Sequence, residues 1–569
     1  MLSQVVFPRY LVDVRRLDSY EEVSADVVVI GGGVAGLSAA ITAASACDTV
    51  VVTKKWVSDS NTEYAQGGIA AVLAQDDSID SHFEDTMRVG QGLCDARVVW
   101  KVVSEGPSAV RRLIEWGGDF DRENGEIAVC KEGGHSSGRV IHAGDATGRE
   151  IQRVMTEQAR SLPRLRIFEH TFVLDLLHAP RGVVPACWPA PRNRSVLFRA
   201  KAVILCSGGA GQIYRETTNP DVATADGHAL AFRAGATMRD MEFMQFHPTT
   251  LYIAGVAREL VSETLRGEGG VLRDKHGHRF MFDYHPAGEL APRDTVSRAI
   301  LDRMVKTKDT NVYLDLTHLP SAFVRERFPR INRICASFGI DITREMIPVH
   351  PSAHYMVGGM KTDIEGRSSL TGLYGAGEAT SSGLHGANRL GSNSLLEGLV
   401  NGAVAARTAI RELPAEVASA IDPAGADLEL DRSLRIDATD MYNSLKALMW
   451  RNVGIQRDGD NLREALRKLN TWMRVMFRVQ ADQISLWELT NMVNVSHLMA
   501  RAALLREESR GVHYRTDFPE SDDSRWRGHM EMRRDSEGSA EERFVQLVPE
   551  ELVRPAAPEP VKPKIAASR

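Results

Sequence analysis

Long hydrophobic runs are missing from this 569-residue sequence. No apolar stretch reaches the roughly 18 residues that a membrane-spanning helix needs, and the apolar patch at residues 5–8 is too short for the core of a signal peptide. An excess of one charge is also lacking, since 69 Lys and Arg face 75 Asp and Glu. We therefore expect a cytoplasmic protein that neither enters a membrane nor binds nucleic acid.

Cysteine is scarce and scattered. The sequence has no C-x-x-C pair, and no cysteine has a histidine at the spacing of metal ligands. The six cysteines are Cys47, Cys94, Cys130, Cys187, Cys206 and Cys335. This pattern argues against a disulfide framework, a zinc site or an iron–sulfur cluster in the chain. We expect reduced thiols and no metal, so that any redox chemistry must come from an organic cofactor.

A glycine-rich turn stands between a predicted strand and a predicted helix. The β-branched run at residues 26–30 ends at three glycines, and an Ala-rich segment with helical spacing follows. Gly31, Gly33 and Gly36 match G-x-G-x-x-G, in which glycines allow the turn, the approach of a pyrophosphate and close helix packing. Glycine triplets also occur in purely structural turns, so the motif alone leaves both interpretations open.

The second predicted strand ends in Thr53 and Lys54, where dinucleotide enzymes usually carry an acidic residue for the ribose. Two further glycine-containing turns follow buried strands, one at Gly208 and one just before Glu378. A nicotinamide domain needs only the first glycine turn. Several strand ends that converge on one ligand favour a longer cofactor, and FAD is the natural candidate.

Changes in composition divide the chain. From about residue 240, ionisable residues are dense among glycines, which indicates an insertion that lines a cavity. After Pro414, Leu, Arg, Glu and Met recur with helical spacing, which indicates a helical bundle. We predict an α/β FAD-binding Rossmann-like domain with an inserted α+β capping domain and a C-terminal helical bundle domain. The predicted bounds are 1–240 with 356–413, 241–355 and 425–519, followed by a partly disordered extension, 520–569.

Two local predictions accompany this division. A long helix is expected over residues 395–411, with Ser392 or Ser394 as its N-cap. Residues 178–196, rich in Pro, Arg and Trp, are interpreted as a surface excursion between two strands.

A set of ordered motifs resembles the succinate dehydrogenase/fumarate reductase flavoprotein superfamily, and within it the L-aspartate oxidase family most closely. The resemblance runs from about residue 25 to about residue 519. The motifs are Ser60–Ala71, Arg139–Gly148, Thr217–Pro220, Phe246–Pro248, Arg266–Gly269, Ala291–Asp294, His354–Tyr355 and His385–Leu395.

The resemblance implies a site for FAD. Glu378 would serve the ribose, and the helix that begins near Ser394 would direct its positive end at the flavin. Asn61 stands where membrane-bound dehydrogenases carry the histidine that attaches flavin, which implies non-covalent FAD. The implied cofactor residues are Gly31, Gly32, Gly33, Val34, Ala35, Gly36, Lys54, Asn61, Thr62, Glu63, Tyr64, Ala65, Gln66, Gly67, Gly68, Asp226, Glu378, Ser394 and Leu395.

The resemblance also implies a substrate site for L-aspartate or fumarate. Carboxylates would be bound by His247, His354 and Arg389, the last through its forked guanidinium. Glu132 matches the position of a glutamate that can meet the substrate ammonium, and Ser262 replaces a usual threonine.

Arg293 matches the family's proton-transfer arginine. An arginine is charged at any ordinary pH. It would therefore need a dry site and a carboxylate partner, for which Glu263 and Glu268 are the candidates.

By this resemblance the chain oxidises L-aspartate to iminoaspartate and passes the electrons to dioxygen, forming hydrogen peroxide, or to fumarate. This reaction would be the first step of de novo NAD biosynthesis, coupled functionally to quinolinate synthase. The alternative is a flavoprotein subunit of a succinate dehydrogenase or fumarate reductase complex. Asn61 and Glu132 count against that alternative, and the tail after Pro519 counts for it. A flavin-binding scaffold without activity is disfavoured because the site motifs are complete.

Overall fold

The computed structural model describes residues 6–11, 20–144, 146–179, 182–189, 195–253, 259–416, 431, 433–479 and 483–553. The strands in these ranges are β1 (Tyr20–Ile30), β2 (Thr49–Val52), β3 (Ile69–Ala70), β4 (Arg122–Glu123), β5 (Glu126–Ile127), β6 (Val129–Cys130), β7 (Val140–Ile141), β8 (Leu165–Phe168), β9 (Thr171–Ala179), β10 (Gly182–Pro189), β11 (Ser195–Leu205), β12 (Met238–Arg239), β13 (Met244–Leu251), β14 (Val271–Arg273), β15 (Val312–Asp315), β16 (Ile347–Met356), β17 (Gly359–Lys361), β18 (Leu373–Gly375), β19 (Thr380–Ser381), β20 (Gly528–Arg534) and β21 (Ala540–Gln546).

The helices in the same ranges are α1 (Val34–Ala44), α2 (Asn61–Tyr64), α3 (Ile79–Val89), α4 (Ala96–Glu115), α5 (Thr147–Arg160), α6 (Asp226–Arg233), α7 (Glu263–Gly267), α8 (Arg293–Thr307), α9 (Ser321–Arg327), α10 (Pro329–Ser337), α11 (Asn393–Arg411), α12 (Ala438–Asn452), α13 (Gly459–Met476), α14 (Ile484–Leu505), α15 (Asp523–Trp526) and α16 (Pro549–Leu552). Within this part of the chain, none of the helices has the length and apolarity to cross a membrane.

The largest sheet carries the cofactor end of the molecule. Its strands follow the order β8-β2-β1-β11-β10-β9, and β18 pairs in parallel with the last residues of β11. Strands β8, β2, β1, β11 and β18 run parallel, so their carboxyl ends lie on one edge of the sheet. Three of these strands, β1, β11 and β18, end at the glycine-containing turns noted in the sequence. The predicted α/β fold is therefore present, and β18, from a distant part of the chain, belongs to the same sheet as β1 and β11.

Strands β9 and β10 correct the interpretation of residues 178–196 as a surface excursion. The two strands form an antiparallel hairpin on the large sheet, while residues 180–181 and 190–194 lie outside the described part of the chain. Prolines had argued against a strand here. β10 pairs with β11 at only two positions, 186 and 187, so Pro185 and Pro189 flank that contact, where a missing N–H is tolerated.

Helices α1 and α11 pack closely behind the strand edge. A Cβ at Gly36 would lie 2.0 Å from the carbonyl oxygen of Gly31, and a Cβ at Gly402 would lie 2.3 Å from that of Ala35. The predicted long helix is confirmed as α11, and of the two predicted serines it is Ser392 that stands at its N-cap. Ser392 occupies the N-cap with φ 61° and makes no side-chain cap bond. Its hydroxyl points instead into the site described below.

A second sheet forms over the segment predicted as the cap. Its order is β13-β16-β15-β14, and α8, α9 and α10 accompany it. The cap has its own apolar core, which includes Leu265, Val296 and Ile300. Apolar residues of β13 and β16, among them Phe246 and Met356, belong to the core of the large sheet, so the cap meets the FAD domain along the strands that carry His247 and His354.

The C-terminal region packs on the FAD domain. Helices α12, α13 and α14 form the predicted helical unit, and their apolar residues share one core with the large sheet. Strand β20 pairs with β12, and β21 pairs with β20, so residues 528–546 complete a five-stranded sheet. Part of the predicted extension is thus ordered in strands. Residues 554–569 lie outside the described chain.

Candidate active site

One continuous cavity runs from the carboxyl edge of the large sheet to the border of the cap. It is lined by all six residues predicted to act on the substrate and by most of those predicted for the cofactor. The substrate residues are Glu132, His247, Ser262, Arg293, His354 and Arg389. The cofactor residues are Gly31–Ala35, Lys54, Asn61, Thr62, Tyr64–Gly68, Asp226, Glu378, Ser394 and Leu395.

Two predicted cofactor residues do not line the cavity. Gly36 lies behind the turn, where it allows α1 to touch the backbone of Gly31. Glu63 turns outward and pairs with Arg149 at 3.1 Å. Both were included because they fall inside contiguous motifs, but not every position of such a motif faces the cavity.

The cofactor end has the features that a dinucleotide requires. Gly33 is the N-cap of α1 and has no capping side chain, so the positive end of this helix, where Val34 N–H donates to Oγ1 of Thr62 at 3.0 Å, faces the cavity. A Cβ at Gly209 would lie 2.1 Å from Oε1 of Glu378, so this glycine provides room beside the carboxylate. Oδ1 of Asn61 is buried and has no hydrogen-bond partner in the described chain. These residues fit a ligand with a pyrophosphate and a ribose.

At the cofactor end of the cavity, Glu378 connects Asn61 with the backbone of Met356. Its Oε1 accepts from the backbone N–H of Met356 at 2.9 Å, and its Oε2 accepts from Nδ2 of Asn61 at 2.8 Å. Burial raises the pKa of Glu378 to about 7. A carboxyl group held in this way is a suitable acceptor for ribose hydroxyls.

Arg293 is the first residue of α8 and points from the cap into the cavity. Its Nε donates to Oε2 of Glu263 at 2.6 Å, while its Nη1 is buried without a partner in the described chain. Glu268 pairs instead with Arg327 at 3.2 Å and lies outside the cavity. Glu263 is therefore the carboxylate partner.

Neighbouring arginines stabilise the negative charge of Glu263. Burial acts to raise its pKa, but the positive charges of Arg293 and Arg266 outweigh this effect, and the pKa lies below its usual range. Arg293 and Glu263 thus form a buried ion pair at the edge of the substrate space.

Glu132 lines the same space. Its Oε2 accepts from Oγ of Ser392 at 2.7 Å. Burial raises the pKa of Glu132, although the charge of Arg293 opposes the shift. A Cβ at Gly391 would lie 3.0 Å from Oε2 of Glu132 and 2.9 Å from Nη2 of Arg293. The absence of a side chain at Gly391 therefore leaves room for both the carboxyl group and the guanidinium.

Two imidazoles, those of His247 and His354, line the cap border with ring centroids 5.2 Å apart. Nδ1 of His247 lies 2.9 Å from the carbonyl oxygen of Thr249, and Nδ1 of His354 lies 2.8 Å from Oγ1 of Thr218. Burial and nearby arginines hold the pKa of both histidines well below the usual value. When Thr218 donates to Nδ1, the neutral ring of His354 carries its proton on Nε2 and can donate it to a ligand.

Arg389 is held from three sides. Its Nε donates to Oε1 of Gln245 at 3.1 Å, and its Nη1 donates to Oγ of Ser394 at 2.7 Å. Its guanidinium carbon lies 4.6 Å from the ring centroid of Tyr355. Burial lowers the pKa of Arg389 to about 10, so the side chain remains a cation at neutral pH. Ser262 completes this end as the N-cap of α7.

Sequence reasoning missed the roles of Gln245, Tyr355 and Ser392. Tyr355 and Ser392 lie inside motifs that were identified, but their function depends on contacts across the fold. Together the substrate end offers two guanidinium groups, two neutral imidazoles and a buried carboxyl group. Such a set fits a small dicarboxylate that also carries an amine.

Comparisons with known proteins agree with this geometry. The chain matches the family model described as an FAD binding domain over residues 26–395 and that described as the fumarate reductase flavoprotein C-term over residues 442–564. FrdA of the E. coli quinol fumarate reductase superposes with a TM-score of 0.87 at 33% identity, covering 95% of this chain and 99% of FrdA. Mycobacterium smegmatis Sdh1 superposes with a TM-score of 0.81 at 34% identity, covering 93% and 95%.

The chain is therefore an FAD-dependent oxidoreductase of the succinate dehydrogenase and fumarate reductase flavoprotein type. Among curated relatives, the L-aspartate oxidase of Yersinia pestis is 42% identical over 89% of this chain and 98% of the relative. That of Streptomyces coelicolor is 41% identical over 90% and 92%. The chain belongs to the L-aspartate oxidase family, which confirms the predicted family, fold class and FAD cofactor.

Proposed function

We propose that the protein oxidises L-aspartate to iminoaspartate, with dioxygen or fumarate as the final electron acceptor. Hydrogen peroxide forms when dioxygen is used. FAD, when bound, supplies the acceptor for the hydride that leaves the substrate Cα. The reaction is the first step of de novo NAD biosynthesis. The family membership and the residues of the substrate end both support this assignment.

The observation that carries the proposal is the buried Glu132, which lies across Gly391 from Arg293. L-Aspartate has two carboxylates and one ammonium. Arg389 and Nε2 of His354 supply donors for the carboxylates, His247 lines the same space, and Glu132 supplies an acceptor for the ammonium. A dicarboxylate without an amine brings no cationic group to Glu132, which disfavours succinate as the reductant.

Arg293 and Glu263 are assigned to proton transfer. The unpartnered Nη1 of Arg293 is buried in the substrate space, and Nε is tied to Glu263. Oxidation of the amine releases a proton, whereas reduction of fumarate requires one. The arginine and its carboxylate partner can serve both directions, because both side chains are largely shielded from bulk water.

Non-covalent FAD and a cytoplasmic location belong to the same proposal. Asn61 lines the cavity and donates to Glu378, and an amide cannot form the histidyl link of the membrane-bound dehydrogenases. Iminoaspartate is labile, so we also propose functional coupling to quinolinate synthase, which would consume it.

Anaerobic mixing of the purified holoprotein with L-aspartate tests the proposal. We expect the yellow flavin absorbance to bleach with L-aspartate and to persist with succinate at the same concentration. Persistence of the colour with L-aspartate overturns the proposed activity. Separately, flavin fluorescence that remains with the protein after denaturation would overturn non-covalent binding and favour the dehydrogenase-subunit alternative.

A further inference from the structure

The helical domain reaches the cofactor end of the cavity through one ion pair. Lys54 follows β2 and lines the cavity, and its Nζ donates to Oε1 of Glu488 at 2.6 Å. Glu488 lies on α14, 434 residues further along the chain. The carboxylate does not line the cavity itself. It contacts a residue that does.

Lys54 has three N–H groups, and the protein uses all of them. Besides Glu488, Nζ donates to Oγ1 of Thr224 at 2.5 Å and to Oδ2 of Asp226 at 2.7 Å. Thr224 donates in turn to the same oxygen of Asp226 at 2.8 Å. Because an ammonium has no further donor, Lys54 acts on a ligand by holding Thr224 and Asp226 in place.

The positive charge of Lys54 is maintained although the side chain is largely buried. Burial acts to lower the pKa of Lys54, but Asp226 and Glu488 outweigh it, and the pKa lies above its usual value. The side chains of Lys54, Asp226 and Glu488 are 15%, 13% and 22% exposed. Removing one carboxylate would therefore leave a poorly solvated ammonium with an unused donor.

A second residue of α14 contacts the same wall. Nδ2 of Asn491 donates to Oδ1 of Asp226 at 2.8 Å, and Oδ1 of Asn491 accepts from Arg233 at 2.7 Å. Residues three apart on a helix share one face. Glu488 and Asn491 therefore lie on one face of α14, where Glu488 contacts Lys54 and Asn491 contacts Asp226.

We propose that Glu488 is a positioning residue of the FAD site, through which the helical domain holds Lys54 and Asp226 in the geometry that binds the cofactor. The inference rests on FAD binding and is independent of which substrate the enzyme oxidises. It predicts that cofactor retention depends on a side chain outside the FAD-binding domain.

Titration of the apoprotein with FAD, followed by quenching of flavin fluorescence, tests this role without any substrate. We expect Glu488→Ala to raise the Kd for FAD about tenfold, the loss that corresponds to one weakened charge-assisted hydrogen bond. Glu488→Gln keeps an acceptor for Lys54 and should give a smaller increase. Glu464→Ala is the matched control, because Glu464 pairs with Lys468 on the surface of α13. It should leave the Kd unchanged.

A double-mutant cycle with Lys54→Ala distinguishes positioning from general destabilisation. If Glu488 acts through Lys54, adding Glu488→Ala to the Lys54→Ala variant should change the Kd by less than about twofold. Unchanged binding in Glu488→Ala, fully additive losses, or an equal loss in Glu464→Ala would each overturn the proposal. Circular dichroism of the apoproteins checks folding, and the isosteric Glu488→Gln supplies the decisive comparison if the alanine variant unfolds.

Discussion

Glu132→Gln should separate the two reactions that share the dicarboxylate site. Glu132 is buried and accepts from Ser392 at 2.7 Å, so glutamine keeps the shape while removing the charge that would meet the ammonium of L-aspartate. A hydrogen bond to a charged group contributes about 1.5–3 kcal/mol. We therefore expect kcat/KM for L-aspartate to fall about ten- to one-hundredfold. Fumarate has no amine, and its reduction should change by less than about threefold.

The pH dependence gives an independent readout of the same group. Burial raises the pKa of Glu132, so the proton leaves this carboxyl group at a higher pH than usual. Binding of the substrate ammonium requires the ionised form. In the wild type, kcat/KM for L-aspartate should therefore rise with pH as Glu132 ionises, and Glu132→Gln should lack this limb.

Steady-state rates measured with L-aspartate and dioxygen, and with fumarate and a reduced dye, provide the comparison. Glu268→Gln is a matched control, because Glu268 pairs with Arg327 outside the cavity. Equal losses in both reactions, or an unchanged pH profile for L-aspartate, would refute the role of Glu132 in recognising the amine.

Three further predictions concern the same cavity. Arg293→Leu should lower turnover by about 100- to 10,000-fold while FAD stays bound, as measured by peroxide formation and the flavin spectrum; retained turnover would show a structural role. Gly391→Ala should lower kcat/KM for L-aspartate about tenfold, because the Cβ of the alanine would crowd Arg293 and Glu132. Wild-type kinetics in this variant would contradict this packing. Burial raises the pKa of Glu378 to about 7, so the folded apoprotein holds a proton that the unfolded chain loses near pH 4.5. The stability of the apoprotein should therefore fall as the pH rises from about 4.5 through about 7. Glu378→Gln should remove this part of the Tm change, and identical pH profiles would count against it.

Much of the fold was predictable because its signals are local. The β-branched run before Gly31 and the strand before Gly377 predicted parallel strands that end at one edge, and β1 and β18 lie there. The hairpin of β9 and β10 was not predictable in this way. Its prolines argue against a strand until the pairing positions are known, and pairing is a property of the assembled sheet.

The sequence by itself determined the family, the FAD cofactor and the residue types of the substrate end, because these depend on the order of short motifs. Only the tertiary structure decided which side chains act together. It selected Glu263 over Glu268 as the partner of Arg293, and it directed Ser392 to Glu132 instead of the helix end. It also brought Glu488 to Lys54. Such hydrogen bonds join residues far apart in the chain, so their partners are fixed by packing and by the need to satisfy buried charge.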